Sequence, residues 1–210
     1  MPRTFYRRNC LIVARALIGR VLVFDAAAGR VAGRIVETEA YRAATDAASH
    51  AFRGRTARNA VMFGEPGHAY VYFTYGMHHC LNLVTEPAGS AAAVLIRAIA
   101  PICGLDRMAR RRRAADARLA SGPGNLTRAF ALTRAEDGLD LTRGRLWVSD
   151  LAADREGHAL VRGRRIGIRQ AVELPWRFYL EHHPSVSARG AAPRAMRPRA
   201  RARAHAGLPR

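Results

Sequence analysis

Strand-like runs mixed irregularly with a few helical ones predict a single α+β domain. Two further observations support that class. A chain of 210 residues suits one domain, and 49% of it is hydrophobic, enough to bury a real core. No internal repeat is present. Beyond about Ser187, Pro, Ala and Arg dominate, which is the composition of a disordered tail. The expected division is a domain over residues 1–187 and an Arg/Pro/Ala-rich tail over 188–210.

Taken in order, RNCLIVARALI (8–18) has the pattern of a short helix, with Gly19 as its stop. RVLVFD, AAAG and RVAGRIVETEAY then predict strand, turn and strand, a hairpin. Residues 42–66 lack periodicity and are expected to be mainly loop, with a short helix near 45–49. Residues 68–75, LNLV and AAAVLIRAI predict three more strands. GLDRMARRRRAADARLA (104–120) predicts one helix with Leu105, Met108, Ala115 and Leu119 on one side. SGPGNLTRAFALT predicts a turn feeding another helix, whose N-terminal amides are suited to a phosphate. LWVSD, RRIGIRQ and WRFYLE are expected to supply further strands.

Charge narrows the function. The formal net charge is +19 with a pI near 11.6. The segment after Glu181 holds seven arginines and no acid; without them 28 basic residues face 16 acidic, a net +12. That excess favours a polyanion, and nucleic acid is the usual one. Biased Ala and Arg usage is the plain alternative. Lysine is absent, which excludes a Walker A loop and a Lys Schiff base. Pro2 could offer a secondary amine, although Met-Pro is also an ordinary start. Cys10, Cys80 and Cys103 are too widely spaced for a zinc or disulfide framework, so buried reduced thiols and no metal are expected. CLIVARALIGRVLVF is interrupted by Arg15 and Arg20, and no apolar run approaches the ~20 residues of a membrane span. A cytoplasmic protein is expected.

Two stretches could carry chemistry. In RIVETEAY, alternation puts Ile35, Glu37, Glu39 and Tyr41 on one side of a strand. Either this is a half-exposed edge with solvated glutamates, or it lines a cleft where one carboxylate is a general base. Same-face neighbours stand ~7 Å apart, a spacing that also suits an inverting glycosidase pair. In GHAYVYFTYGMHH, Tyr70, Tyr72 and Thr74 share one face and Val71, Phe73 and Tyr75 the other. His78, His79 and Cys80 are adjacent and point alternately, which argues against a shared metal. Between these stretches, Arg53, Arg55, Thr56, Arg58 and Asn59 form either a phosphate-gripping loop or a solvated basic one.

Together, ETEAY (37–41) with Asp46, Ala47 and His50, RTARNAVMF (55–63), GHAYVYFTYGM (67–77) with Asn82, VLIRA (94–98), SGPGNL (121–126), RRIGI (164–168) and RFYL (177–180) resemble one family. It is the alkyladenine (3-methyladenine, methylpurine) DNA glycosylases, and the resemblance runs from about residue 5 to 187. It implies a compact domain built on a mainly antiparallel sheet with a few packed helices. It makes Glu39 the base that activates water, Arg97 and the Ile166 carbonyl its water-holding partners, and Tyr41, His50 and Tyr72 the walls of a base pocket. Asn82 is implied to crowd out a guanine amino group and Tyr75 to wedge into the duplex. Thr56, Arg58, Asn59, Met62 and Met77 are implied DNA contacts. Asn125 stands where relatives often carry Lys, which implies a weaker phosphate contact there. His78 and His79 stand where relatives are frequently aromatic or apolar.

That implied chemistry is physically coherent. A base inside a duplex must be flipped out before its glycosidic bond can be reached, at a cost of a few kcal/mol. Alkylation at N3 or N7 leaves the purine cationic, so electron-rich tyrosine faces are expected to attract it by ~0.5–2 kcal/mol each. The expectation is a monofunctional purine DNA N-glycosylase, a monomer without cofactor or membrane association, acting on double-stranded DNA with damaged purines. Two rivals compete with it: a non-catalytic nucleic-acid-binding module and a carbohydrate-active hydrolase. The first gives Glu37 and Glu39 no role; the second leaves the basic excess unexplained.

Overall fold

The computed structural model describes residues 1–74 and 76–187. Tyr75 and the expected tail, 188–210, lie outside them. The N-terminal helices are α1 (Arg3–Tyr6) and α2 (Cys10–Leu17). In α2 the buried positions are Cys10, Val13, Ala14 and Leu17, one face of a 3.6-residue period. Its first turn is capped by the Asn9 side chain, which accepts from the Leu11 amide at 2.9 Å. Gly19 ends this segment at φ 89°, where an added Cβ would stand 2.6 Å from the Asp154 carbonyl oxygen.

The expected hairpin is β1 (Val21–Ala26) and β2 (Gly29–Arg42), paired antiparallel from Val21↔Arg34 to Ala26↔Gly29. β3 (Ala69–Thr74), β4 (His78–Thr85) and β5 (Ala92–Cys103) come next along the chain, then β6 (Leu146–Val148), β7 (Leu160–Gly163) and β8 (Arg177–Leu180). The sheet runs β3-β4-β5-β2-β1-β6, with β8 also on β2 and β7 on β8. Every described pairing is antiparallel. β2 is therefore the spine: β5 covers one edge, while β1 and then β8 share the other. α2 packs beneath β2, where the Thr38 hydroxyl donates to the Ala14 carbonyl at 3.0 Å. Among the described residues no helix is long and apolar enough to cross a membrane.

Four local expectations are corrected. The single helix over 104–120 is α3 (Leu105–Arg112) and a separate turn at Asp116–Arg118. Four consecutive arginines repel one another along its continuation. The chain breaks at Arg113 (φ 50°) and folds back, so that Arg112 Nε donates to the Leu119 carbonyl at 3.0 Å. RRIGIRQ is a loop, because the chain leaves the sheet at Gly163 and turns at Gly167 (φ 76°) toward β2. The short helix near 45–49 is a 3-10 turn at Ala43–Thr45, since Asp46 caps the next turn of chain by accepting from the Ala48 amide. Cys10 and Cys80 are buried, but Cys103 is exposed at the end of β5, beyond the reach of the core. The expected helix after SGPG is α4 (Pro123–Phe130), packed on β4 and β5.

Where the site forms, β2 and β5 break register twice. Ile35 pairs with Ile99 and Glu37 with Ala98, leaving Val36 as an extra residue on β2. Thr38 then pairs with Ile96, leaving Arg97 as the extra residue on β5. Bulges re-aim side chains. Ile35 and Val36 both enter the apolar core, while Glu37, Glu39 and Tyr41 join a polar network. Strict alternation from Ile35 onward is thus interrupted at Val36.

Candidate active site

Glu37 and Glu39 are both fully buried, which removes the solvated-edge alternative. Isolated buried carboxylates are very costly, so each must be matched by donors. The Glu39 carboxylate accepts from the Tyr41 hydroxyl (2.8 Å) and Arg97 Nη1 (3.2 Å) on Oε2, and from the Ile166 amide (2.7 Å) on Oε1. Glu37 accepts from Arg97 Nε (2.9 Å) and Arg177 Nε (2.7 Å) on Oε1, and from the Ser187 amide (2.8 Å) on Oε2. Burial alone would raise the Glu37 pKa. Arg97 and Arg177, with Ser187, more than offset that and hold it below the usual carboxylate range.

Tyr41, Arg97 and Ile166, the three groups that hold Glu39, also line a cavity of about 700 Å³. Further lining comes from the loop before β3 and from β3 itself. His50 and Tyr72 meet edge to face with ring centroids 4.5 Å apart, and His50 Nδ1 lies 3.1 Å from the Tyr70 hydroxyl. Burial, with Arg58 adding to it, pushes the His50 pKa down, so the ring is neutral at pH 7. Burial likewise raises the Tyr41 and Tyr72 hydroxyls and pushes Tyr70 up to about 12, so all three remain protonated donors. Asn82 lines the cavity too, with its amide donating to the Tyr70 carbonyl at 3.2 Å.

The sequence-predicted pocket residues Arg97, Ile166, Tyr41, His50, Tyr72 and Asn82 therefore line one cavity, and Glu39 is held by three of them. For Ile166 the visible contact is its amide to Glu39. Among the expected DNA contacts, Arg58 and Thr56 are exposed and Met77 is 69% exposed, near the β3–β4 tip. Met62 is buried and lines the cavity instead. Asn59 is also buried: its side chain donates to the His50 and Gly54 carbonyls (2.9 and 3.0 Å) and accepts from the Thr56 amide. It pins the loop that carries His50 and has no face toward solvent. Tyr75 lies outside the described residues; its flank Thr74 and the nearby His78 line the cavity. The Asn125 amide turns back onto the Ser121 carbonyl at 2.6 Å.

Sequence reasoning assigned no role to three residues that build this site. Arg165 is fully buried and grips Asp46 through both nitrogens (2.5 and 2.7 Å). It also donates to the Ala40 carbonyl (3.0 Å) and stands over the Tyr41 ring, 4.6 Å from its centroid. Arg177 and Ser187 complete the cradle of Glu37, and Arg97 Nη2 donates to Ser187 Oγ at 3.3 Å. These partners lie more than 90 positions from the carboxylates they serve, and no local pattern marks them. The only signal was that Asp46, Arg165 and Arg177 fall within the motifs that carry the family resemblance.

The family model described as "Methylpurine-DNA glycosylase (MPG)" matches residues 4–184. A protein of Methanocella arvoryzae, provisionally named a 3-methyladenine DNA glycosylase, is 52% identical over 195 residues, covering 90% of this chain and 96% of its own. Similarly named proteins of Burkholderia orbicola and Carboxydothermus hydrogenoformans are 48% and 47% identical. They cover 92% and 89% of this chain, and 93% and 98% of their own. The cavity and its buried carboxylate thus belong to a DNA glycosylase, a hydrolase of base excision repair. The chain is a member of the methylpurine-DNA glycosylase family.

Proposed function

We propose that the protein flips a damaged purine out of double-stranded DNA into the cavity and hydrolyses its N-glycosidic bond with a water held by Glu39, leaving an abasic site. One observation carries this reading: Glu39 is buried beneath the cavity and held by the same three groups that line it. A carboxylate has about four acceptor positions, and three are filled, so one remains for a water. That water attacks C1′ of the deoxyribose and passes its proton to Glu39. The C1′–N bond breaks and its electron pair leaves with the base. Arg97 fixes the carboxylate and keeps it next to the charge that develops on the sugar.

Tyr41 on one side and His50 with Tyr72 on the other suit a flat purine. The body's basic excess suits the phosphate backbone, with Arg58 and Thr56 on the exposed loop beside the pocket. Tyr75, next to the exposed Gly76 and Met77, is the wedge in this reading. The enzyme acts as a monomer. It is monofunctional, because a chain without lysine has no ε-amine to form a Schiff base with the abasic sugar.

The test is base release from duplexes carrying 7-methylguanine or hypoxanthine. Wild type should release free base and leave the abasic strand uncut, while Glu39→Gln should bind the same duplex and release almost none. Equal release by both proteins would remove Glu39 from this role. A borohydride-stable protein–DNA adduct would overturn the monofunctional assignment.

A further inference from the structure

Electron-rich tyrosine walls by themselves favour a cationic base over a neutral one. In this cavity the tyrosine of each wall also has an arginine against its ring. The Arg165 guanidinium lies 4.6 Å from the Tyr41 ring centroid and that of Arg58 5.2 Å from the Tyr72 ring centroid. Neither arginine is among the residues lining the cavity, and the Arg165 side chain is wholly buried, so it stands behind its ring.

The surrounding charges offset only the Arg165 part of this effect. Glu37 and Glu39 are matched by Arg97 and Arg177, and Asp46 by Arg165. Arg58 adds a further positive charge, with its Nη2 donating to the Phe73 carbonyl at 3.2 Å. His50 is neutral and contributes no negative charge. A base carrying a full positive charge therefore enters a pocket with no surplus negative field, with Arg58 against the ring of one wall and the Asp46-paired Arg165 against the ring of the other.

We propose that Arg58 and Arg165 are specificity-determining residues, which act through the rings of Tyr72 and Tyr41 to hold down the preference for cationic over neutral purine lesions. The inference rests on the proposed function, since it presumes that these rings stack on the damaged base. A cation behind a ring draws electron density away from the opposite face and repels a second cation across it. A neutral purine such as hypoxanthine loses little by this, whereas a purine alkylated at N7 loses much of the ring's attraction. Asp46 offsets part of the Arg165 field, so Arg58 has the larger share.

The experiment compares single-turnover release of 7-methylguanine and of hypoxanthine from otherwise identical duplexes and reads the ratio of the two rates. Arg58→Gln should raise the ratio in favour of 7-methylguanine by about two- to fivefold. Its lost phosphate contact weakens binding of both duplexes alike and leaves the ratio untouched. Arg58→Lys, which keeps the charge, should retain the wild-type ratio. The double variant Asp46→Asn with Arg165→Gln removes both buried charges together and should raise the ratio by a smaller factor. The Arg58 pair decides the matter by itself where the buried double variant does not fold. An unchanged ratio in Arg58→Gln, or the same shift in Arg58→Lys, overturns the inference while leaving the glycosylase reading intact. Failure of wild type to release either base sinks that reading and the inference with it.

Discussion

Glu37 accepts from two arginines and a backbone amide; Glu39, two residues along the same strand, accepts from one arginine, a tyrosine hydroxyl and a backbone amide. Burial does not separate them, because both are fully enclosed. The number of donors does not separate them either. What differs is where the donors lead. All three partners of Glu39 line the cavity, whereas Arg177 and Ser187, which complete the Glu37 cradle, are not among the residues that line it. Arg97 joins the two, with Nε on Glu37 and Nη1 on Glu39. Glu37 thereby fixes the arginine that holds Glu39, the proposed water-activating group. A pair of carboxylates sharing the chemistry, as in an inverting glycosidase, does not match this division.

Exchanging the two residues one at a time tests the contrast. Glu39→Gln should lower the rate of base release by about 10³–10⁴-fold, in the upper range for a general base. Its thermal unfolding should shift much less, since Arg97 keeps Glu37. Glu37→Gln should show the reverse emphasis. Two buried guanidinium groups lose their shared anion, and stability should fall by about 3–5 kcal/mol in a denaturant titration. Below the unfolding transition its release rate should drop less than that of Glu39→Gln. If Glu37→Gln loses rate as severely while remaining as stable as wild type, the division of labour between them is wrong.

Tyr41→Phe makes a finer cut through the Glu39 side. It keeps the ring that walls the cavity and removes only the hydroxyl donated to Oε2. One hydrogen bond contributes about 1 kcal/mol, so release should slow by about fivefold with base affinity little changed. A loss of affinity without a loss of rate would mean that the hydroxyl contacts the base.

The sequence disclosed the strands and the pocket residues far better than it disclosed what holds them. Alternation placed Glu37, Glu39 and Tyr41 together because that rule is local. It put Ile35 with them as well, because a bulge at Val36 leaves no mark in a run of apolar residues. The basic loop shows the same limit. Asn59 and Arg58 are neighbours of similar polarity, yet one is buried as a staple beneath His50 and the other is exposed against Tyr72. Only the path of the backbone through that loop decides which faces inward. RRIGIRQ looked like a strand by its alternating apolar residues, but the chain spends those positions carrying Arg165 to Asp46 and the Ile166 amide to Glu39. Long-range ion pairs are written in three dimensions, and sequence proximity gives no hint of them.

The smallest expected effect concerns pH, since it recovers only the part of the Glu37 contribution that titrates. The folded-state pKa of this carboxyl is depressed, so its stabilisation is fully present above the unfolded value of 4.5. It is lost as pH falls below that value and through the lower folded value, where both states take up the proton. Other acids titrate over the same range, so wild type is best compared with Glu37→Gln, in which their contributions cancel. The stability gap between the two proteins should be constant from pH 7 down to about 5 and narrow progressively at lower pH. The narrowing stays partial, because a protonated Glu37 still fills its site and still accepts hydrogen bonds from Arg97 and Arg177. A gap that widens on acidification would mean that Glu37 is held protonated in the folded state, and would make it a group able to give a proton to the leaving base.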